Sequence, residues 1–167
     1  MSQHINIRPA VPDDGDLLTK IAFASKSYWN YPSYYLSLWE KELTITPRYI
    51  HENHVFVAES DAEAVGFYSL VSVAETLYVG SIGIEKGLWL DHMFVSPEKI
   101  GTGIGTVLMR HVTDFLRSIG VKRVSIFVDP NAEGFYKKMG AVFRRYSDSS
   151  IPGRQIPVYE YECASCG

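Results

Sequence analysis

The chain has 167 residues, of which 46% are hydrophobic and 21% charged, and its formal net charge is -3. This length suits one domain, and the apolar fraction is high enough to build a core, which excludes a disordered chain. The weak negative charge argues against broad affinity for nucleic acid or anionic membranes. The sequence contains no run of eighteen apolar residues, so it predicts no membrane-spanning helix.

The N-terminal part of the chain predicts one strand and two helices. Residues 5–7 alternate apolar and polar side chains as a strand does, and Asp13 and Asp14 offer capping oxygens to the helix that follows. That helix has apolar side chains at helical spacing, which are Leu17, Leu18, Ile21 and Ala24. An aromatic segment, residues 28–39, then leads past Pro32 into a second helix.

The middle of the chain predicts strands. Residues 55–59 and 65–73 form the two strands of a predicted hairpin, because a short polar link joins them. Residues 78–84 predict one more strand. Gly87 then turns the chain into a strand over residues 88–95, which ends before Pro97.

The C-terminal part contains the clearest helical pattern. Between residues 104 and 119 one apolar face repeats at helical spacing, and Gly120 stands where a helix C-terminus favours glycine. The elements after it are a strand, a short helix and two strands, over residues 124–128, 132–139, 142–146 and 156–162. The sequence therefore predicts one mixed α/β domain over residues 4–163.

The two ends of the chain carry few signals. Residues 1–10 lack the apolar stretch of a signal peptide, so we expect a cytoplasmic protein. Residues 164–167 predict a frayed tail. Cys163 and Cys166 have CxxC spacing, but without a second pair they predict neither a zinc site nor a disulfide framework, and their role stays open.

A glycine-rich turn before the long predicted helix carries the clearest functional signal. Gly101, Gly103 and Gly105 stand where free N–H groups and the positive end of a helix dipole bind anions. From this segment alone, a flexible loop that only begins a helix is the alternative. The lysine of a P-loop is absent after these glycines, and Thr106 or Leu108 replaces the third glycine of a dinucleotide fingerprint.

The glycine-rich turn resembles the pyrophosphate loop of the GNAT N-acetyltransferase superfamily, Gln/Arg-x-x-Gly-x-Gly/Ala, with Gly103 and Gly105 as its glycines. A second segment, Asp129–Ala141, resembles the family signature Asn-x-x-x-x-x-Tyr-x-x-x-Gly-Phe. The two follow each other in the order that the family shows. One position departs from the pattern, because Ile100 stands where Gln or Arg is usual, and Lys99 is the neighbour that would compensate.

The resemblance implies a fold and a cosubstrate. The fold is α/β, with a central, mostly antiparallel sheet that splays at the coenzyme A site and carries helices on both faces. The cosubstrate is acetyl-CoA, no metal is required, and the acceptor is an amine of a small molecule or a protein. The residues expected to hold the cosubstrate are Phe94, Val95, Ile100, Gly101, Thr102, Gly103, Ile104, Gly105, Thr106, Asn131, Phe135 and Tyr136.

For catalysis the resemblance implies direct attack of the amine on the thioester. Tyr136 matches the family tyrosine that faces the coenzyme A sulfur and is the expected general acid, with core packing as its alternative role. Asn131 matches the asparagine that bonds the pantetheine arm or steadies the turn, and an N-cap role is compatible with both. A backbone N–H of Phe94 or Val95 is the expected oxyanion donor.

Three alternatives remain for the group that deprotonates the amine. Side chains alternate along residues 88–95, so Asp91 shares a face with Trp89 and His92 lies on the other face. Relatives that use a residue here place it in register with Trp89 or Asp91, which makes Asp91 the first candidate. Histidine is the usual side chain for proton transfer near neutral pH, which makes His92 the second candidate. A site without a dedicated base is the third.

The aromatic segment lies in the region that covers the acceptor pocket in this family. Aromatic rings exclude water and bind cationic amines, although core packing is the alternative role for the segment. The expected acceptor contacts are Tyr28, Trp29, Tyr31 and Trp89. The chain also resembles a bacterial branch of the superfamily with unassigned substrates, at residues 28–32, 100–101, 150–154 and 156–157.

The sequence therefore predicts an enzyme that moves an acetyl group from acetyl-CoA to an amine. The first alternative is a non-catalytic, regulatory module that binds acetyl-CoA on the same fold. The second is a nucleotide-binding enzyme of another family. The identity of the acceptor stays open, and so does the oligomeric state, although many relatives are homodimers.

Overall fold

The structure is a computed structural model that describes residues 4–163. Its strands are β1 (Ile5–Pro9), β2 (His54–Ser60), β3 (Glu63–Val73), β4 (Leu77–Val79), β5 (Ile82–Ile84), β6 (Gly87–Val95), β7 (Arg123–Phe127), β8 (Val142–Asp148) and β9 (Gln155–Glu162). Its helices are α1 (Gly15–Tyr28), α2 (Ser33–Leu38), α3 (Glu40–Leu43), α4 (Pro47–Glu52), α5 (Ile104–Ser118) and α6 (Glu133–Lys138).

The sheet is mostly antiparallel, in the strand order β1-β2-β3-β6-β7-β9-β8, and helices flank it. This arrangement confirms the predicted fold class. Within residues 4–163 no helix is both long enough and apolar enough to cross a membrane. The chain groups into two compact units, residues 4–70 with 92–109 and residues 71–91 with 110–163, and the predicted single domain stays a prediction.

The first unit is built on the antiparallel strands β1, β2 and β3. Ile5 pairs with Ser60 on β2, and Val57 of β2 pairs with Phe67 of β3. The alternation of residues 5–7 predicted β1, and the hairpin pattern of residues 55–73 predicted β2 and β3. The buried apolar residues of this unit include Leu18, Ile21, Ala22, Val55, Val57, Val65, Phe67, Leu70, Ile104 and Leu108.

The start of α1 differs from the prediction. Asp14 does not cap the helix with its side chain, since its carboxylate accepts hydrogen bonds from the Val11 N–H at 2.8 Å and from the Arg8 guanidinium at 2.8 and 3.0 Å. Arg8 also donates to Glu59 at 3.0 Å. The hydrogen bond from Arg8 is the largest cause that lowers the pKa of Asp14. This carboxylate therefore ties β1 to the start of the helix.

The second unit is built on β7, β9 and β8, which pair antiparallel in that order. Trp89 at the start of β6 pairs with Ser125 in a parallel ladder. The buried apolar residues of this unit include Val112, Leu116, Val124, Ile126, Val128, Val158 and Tyr159. As predicted, Gly120 follows the end of α5, with φ +70° and its N–H donating to the Arg117 carbonyl at 3.2 Å.

Two elements differ from the prediction, and only one of the two cysteines lies within the described residues. Residues 78–84, predicted as one strand, form the short hairpin of β4 and β5. The helix α4 was not predicted. Cys163 is buried and its thiol lies 3.7 Å from the Val121 carbonyl, whereas Cys166 and the predicted tail, 164–167, lie outside the described residues.

Candidate cofactor-binding and catalytic residues

The loop between β6 and α5 is closed by its own backbone hydrogen bonds. The Lys99 N–H donates to the Ser96 carbonyl at 2.8 Å, and the Thr102 N–H donates to the Lys99 carbonyl at 3.2 Å. Gly101 and Gly103 have φ angles of +83° and +91°, which glycine adopts without the penalty that a side chain would bring. The two glycines therefore bring the chain into the first turn of α5.

The first turn of α5 presents a row of backbone donors. The N–H groups of Gly103, Ile104, Gly105 and Thr106 donate to no acceptor within residues 4–163. The first hydrogen bond of the helix is donated by the Val107 N–H to the Gly103 carbonyl, at 3.1 Å. These N–H groups begin a helix of 15 residues, whose dipole adds positive potential at this end. The turn thus has the donors and the potential that an anion such as a phosphate requires.

The end of β6 packs into an aromatic cluster of the first unit. The His92 and Phe94 rings are 5.5 Å apart between centroids, and the rings of Phe67 and Tyr49 lie 6.4 and 6.0 Å from His92. The hydroxyls of Tyr49 and Ser69 share a hydrogen bond of 2.8 Å. His92 and Phe94 therefore share one face, as the alternation predicts. Tyr49 was not among the predicted site residues, because the helix α4 that carries it was not predicted.

A capped turn brings the chain into α6 in the second unit. The Asp129 carboxylate accepts hydrogen bonds from the Asn131 N–H at 2.9 Å and from the Asn131 side-chain amide at 3.1 Å. Asp129 is therefore the capping residue, and the alternative in which Asn131 is the N-cap is wrong. The side chain of Asn131 instead steadies the turn through Asp129, which is one of the two roles that the sequence left open for it.

Tyr136 has a buried ring and a hydroxyl that no described residue binds. The residue is 7% exposed, and burial, followed by the charge of Asp129, holds its pKa above the usual value of a phenol. In residues 4–163 every fully buried side-chain nitrogen or oxygen has a hydrogen-bond partner, so the Tyr136 oxygen reaches solvent. Tyr136 therefore keeps its proton at neutral pH and can donate it to a ligand.

A second tyrosine holds the helix that carries Tyr136. The Tyr159 hydroxyl donates to the Glu133 carboxylate at 2.8 Å, and Glu133 lies three residues before Tyr136 on α6. Burial, followed by this hydrogen bond, raises the pKa of Tyr159 to about 12. The sequence separation of the pair left no local signal for it.

The first half of β6 belongs to the second unit. The Trp89 indole N–H donates to the Glu85 carbonyl at 2.8 Å, and its ring stacks on Phe127 with centroids 4.6 Å apart. Asp91, two residues further along the strand, is exposed. Trp89 is thus fixed on both its polar and its apolar side, whereas Asp91 faces solvent.

The aromatic segment divides into an exposed and a packed part. Tyr28 and Trp29, at the end of α1, are 51% and 40% exposed and touch edge to face. Tyr31 packs edge to face on the buried ring of Trp39, with centroids 5.1 Å apart, and the Lys26 ammonium lies 4.5 Å from the Trp39 centroid. Trp39 therefore has the packing role that the sequence left open. Tyr28 and Trp29 have exposed surface that a ligand can contact.

Residues 21–141 match the acetyltransferase (GNAT) family, which is well over half of the chain. The chain belongs to this family. The glycine turn and the Asp129–Ala141 segment, which carried the resemblance, both fall within the matched range. The narrower prediction of a bacterial branch stays a prediction.

Individual known proteins are similar to larger parts of the chain than the family model covers. An uncharacterised N-acetyltransferase of the archaeon Methanocaldococcus jannaschii is 26% identical over 139 residues, and this chain spans only 59% of its length, with 80% of the chain aligned. A GCN5-related N-acetyltransferase from Rhodopseudomonas palustris aligns with a TM-score of 0.77 at 19% identity, over 97% of this chain and 98% of that one.

A further solved structure contains coenzyme A. The PaiA N-acetyltransferase from Thermoplasma acidophilum, in complex with coenzyme A, aligns with a TM-score of 0.71 at 18% identity, over 95% of this chain and 99% of that one. At such identities the likeness shows a shared fold, and it confirms that this GNAT chain has the fold of its family.

Proposed function

We propose that this GNAT chain is an enzyme that transfers the acetyl group of acetyl-CoA to a primary amine of a small molecule or a protein. The observation that carries the proposal is the row of four backbone N–H groups, from Gly103 to Thr106, at the start of a 15-residue helix. Such a row suits the pyrophosphate of coenzyme A, since backbone amides bind phosphate oxygens without a charged side chain. The departure at Ile100 then leaves the amides as the main ligands.

We assign the remaining cosubstrate contacts to both family signatures. The backbone of Phe94 and Val95 would receive the pantetheine arm and supply the N–H that stabilises the developing oxyanion. The other assigned contacts are Ile100, Gly101, Thr102, Asn131, Phe135 and Tyr136. The capped turn at Asp129 supports the assignment of Asn131, because it fixes the backbone on which this residue is held.

In the proposed reaction the amine nitrogen attacks the thioester carbonyl carbon and the carbon–sulfur bond breaks. The thiolate that leaves takes its proton from the Tyr136 hydroxyl. The raised pKa of Tyr136 keeps this hydroxyl protonated at neutral and mildly alkaline pH, so the general acid carries its proton under these conditions. The free hydroxyl of an otherwise buried tyrosine supports this role.

The proton of the attacking amine goes to Asp91, directly or through a water molecule. The exposure of Asp91 supports this assignment, and the ring contacts of His92 with Phe94 and Phe67 give that side chain a packing role. For the acceptor we propose contacts to Tyr28, Trp29 and Tyr31. Trp89, whose indole N–H is held by the Glu85 carbonyl, would contribute an apolar wall.

The proposal is tested by thiol release from acetyl-CoA in the presence of a panel of amines, with mass spectrometry of the products. We expect one class of amine to accelerate thiol release and to appear acetylated. Coenzyme A binding without transfer to any amine would favour the non-catalytic module. Binding of ATP or NAD without coenzyme A binding would favour a nucleotide enzyme of another family. A homodimer and a cytoplasmic location stay predictions.

A further inference from the structure

Gly66, in the middle of β3, has an environment that no other residue type fits. A Cβ built on it would lie 2.8 Å from the Phe94 carbonyl oxygen, 3.4 Å from a methyl of Leu108 and 3.5 Å from a methyl of Ile104. The first distance is shorter than real Cβ atoms show, and the obstacle is backbone, which cannot rotate away as a side chain does. Gly66 is buried, and its φ lies outside the left-handed region, so the need for glycine is one of space.

The three neighbours of Gly66 belong to the two segments assigned to the cosubstrate. Phe94 lies at the end of β6, Ile104 is the first residue of α5, and Leu108 follows one turn later. The loop with Gly101 and Gly103 joins these two segments. Gly66 therefore lies beneath the point where the strand ends and the helix begins.

A bulge in β3 next to Gly66 contacts the beginning of the same loop. Gly66 pairs with Ala58 of β2, but the next pair joins Glu59 with Ala64, so Val65 is an extra residue. The Val65 carbonyl then accepts a hydrogen bond from the Ser96 N–H, just after β6, at 2.8 Å. Val65 thus binds the beginning of the loop that follows β6. The missing side chain of Gly66 leaves room for the backbone at the end of β6.

We propose that Gly66 is a positioning residue of the cosubstrate site. Its missing side chain lets the Phe94 carbonyl and the first turn of α5 approach β3, and this approach sets the direction of the N–H groups from Gly103 to Thr106. A methyl group at this position displaces the end of β6, the start of α5 or both. The inference rests on the proposed function in one respect, namely that these segments bind acetyl-CoA.

The chain offers a matched control for a Gly66→Ala variant. Gly15, at the start of α1 in the same unit, is also buried, and a Cβ there would lie 2.7 Å from the Ile45 carbonyl oxygen. Its other neighbours belong to Pro47, which has no part in the proposed site. Gly15→Ala therefore creates the same kind of backbone clash and a comparable loss of stability away from the loop.

The test compares the two variants in amide NMR spectra without ligand and in calorimetric titrations with coenzyme A. We expect Gly66→Ala to shift the amide signals of residues 94–96 and 103–107 and to weaken coenzyme A binding about tenfold. We expect Gly15→Ala to leave those signals in place and to change the affinity less than twofold. Equal shifts and equal affinities in the two variants would overturn the proposal.

Two further outcomes are also decisive. If the wild-type chain does not bind coenzyme A, the proposed function fails, and the ligand-free spectra still decide whether Gly66 positions the first turn of α5. Both variants are repeated in trimethylamine N-oxide, which favours folded states. A Gly66→Ala chain that stays unfolded there, beside a folded Gly15→Ala chain, would overturn the proposal, because Gly66 would then serve stability alone.

Discussion

Two segments of this acetyltransferase-family chain carry its family signatures, and they offer opposite kinds of chemistry. The glycine turn before α5, in the first unit, offers backbone N–H groups and has two glycines with positive φ. The turn and helix from Asp129 to Lys138, in the second unit, offer one side chain, the hydroxyl of Tyr136, on a buried ring. The first segment suits the binding of a charged group, and the second suits the movement of a proton.

The two segments are also supported differently. The position of the glycine turn is proposed to depend on the missing side chain of Gly66, since a Cβ there would lie 2.8 Å from the Phe94 carbonyl oxygen. The helix α6 depends on bonds, since Asp129 caps its preceding turn and Tyr159 donates to Glu133 at 2.8 Å. Substitutions in the two segments should therefore change different measured quantities.

The largest effect is expected from Tyr136→Phe, which keeps the ring and removes the proton donor. We expect kcat to fall on the order of 10²-fold, while coenzyme A affinity stays within twofold. Steady-state rates at saturating acetyl-CoA, where chemistry limits the rate, check this. A variant with the kcat of the wild type would show that Tyr136 only packs.

The pH profile of kcat tests the role of Tyr136 in a second way. Because burial and Asp129 raise the pKa of Tyr136 above 10, this group holds its proton through the alkaline range. Loss of the Tyr136 proton should therefore not lower the wild-type kcat up to about pH 10. Any decline in that range should also be present in Tyr136→Phe. A decline at or below about pH 10 that is lost in the variant would contradict a raised pKa of Tyr136.

The next effect concerns the glycine turn. Gly103→Glu places a negative charge where the phosphates are proposed to bind, and it should weaken coenzyme A binding at least tenfold, which is about 1.4 kcal/mol. Gly103→Gln shares the strain of a side chain at φ +91° and serves as the matched control. Calorimetry should show a clear difference between the two variants, and equal losses would assign the effect to strain alone.

A smaller effect is expected at Asp91, the last residue of β6 that belongs to the second unit. Asp91→Asn should lower kcat/KM at pH 7 by roughly fivefold, because solvent replaces part of the function of an exposed base. The loss should shrink as pH rises and more amine becomes neutral. His92→Gln should lower mainly stability. If His92→Gln instead removes the ascending limb of the profile, the base lies in the first unit.

The smallest effect on the reaction is expected from Asp14→Asn, which acts on the first unit far from the glycine turn in sequence. Removing the charge that Arg8 binds should lower the free energy of unfolding by about 2 kcal/mol at pH 7. The lowered pKa of Asp14 means that its contribution is complete above pH 4 and is lost as pH falls further. The difference from the wild type should therefore shrink below pH 4, whereas the exposed neighbour Asp13→Asn should show little difference at any pH.

The sequence predicted the strands and helices whose patterns are local. Alternation indicated β1 and β7, a short polar link indicated the hairpin of β2 and β3, and the apolar face of α5 together with Gly120 indicated that helix and its end. The hairpin of β4 and β5 was missed because its turn, at Gly80 and Ser81, lies inside an otherwise apolar run. The Thr46-Pro47 pair was a usable signal for α4, since Thr46 caps the helix and proline favours its first turn.

The candidate site could be predicted only where a local motif defines it. The glycines near residue 103 and the tyrosine at 136 stand in recognisable signatures. Gly66 could not be found, because a glycine in a strand shows its use only once the Phe94 carbonyl is placed beside it. Asp14 was misassigned for a similar reason, since a distant pairing with Arg8 outweighs the local capping preference.

We propose that the glycine turn binds the cosubstrate and that Tyr136 serves the chemical step. Coenzyme A affinity and kcat at saturating substrate, measured side by side for Gly103→Glu and Tyr136→Phe, test this division. We expect a crossed result, in which Gly103→Glu loses affinity and keeps most of its kcat, while Tyr136→Phe loses kcat and keeps its affinity. If both variants lose the same quantity, the division between the two segments is wrong.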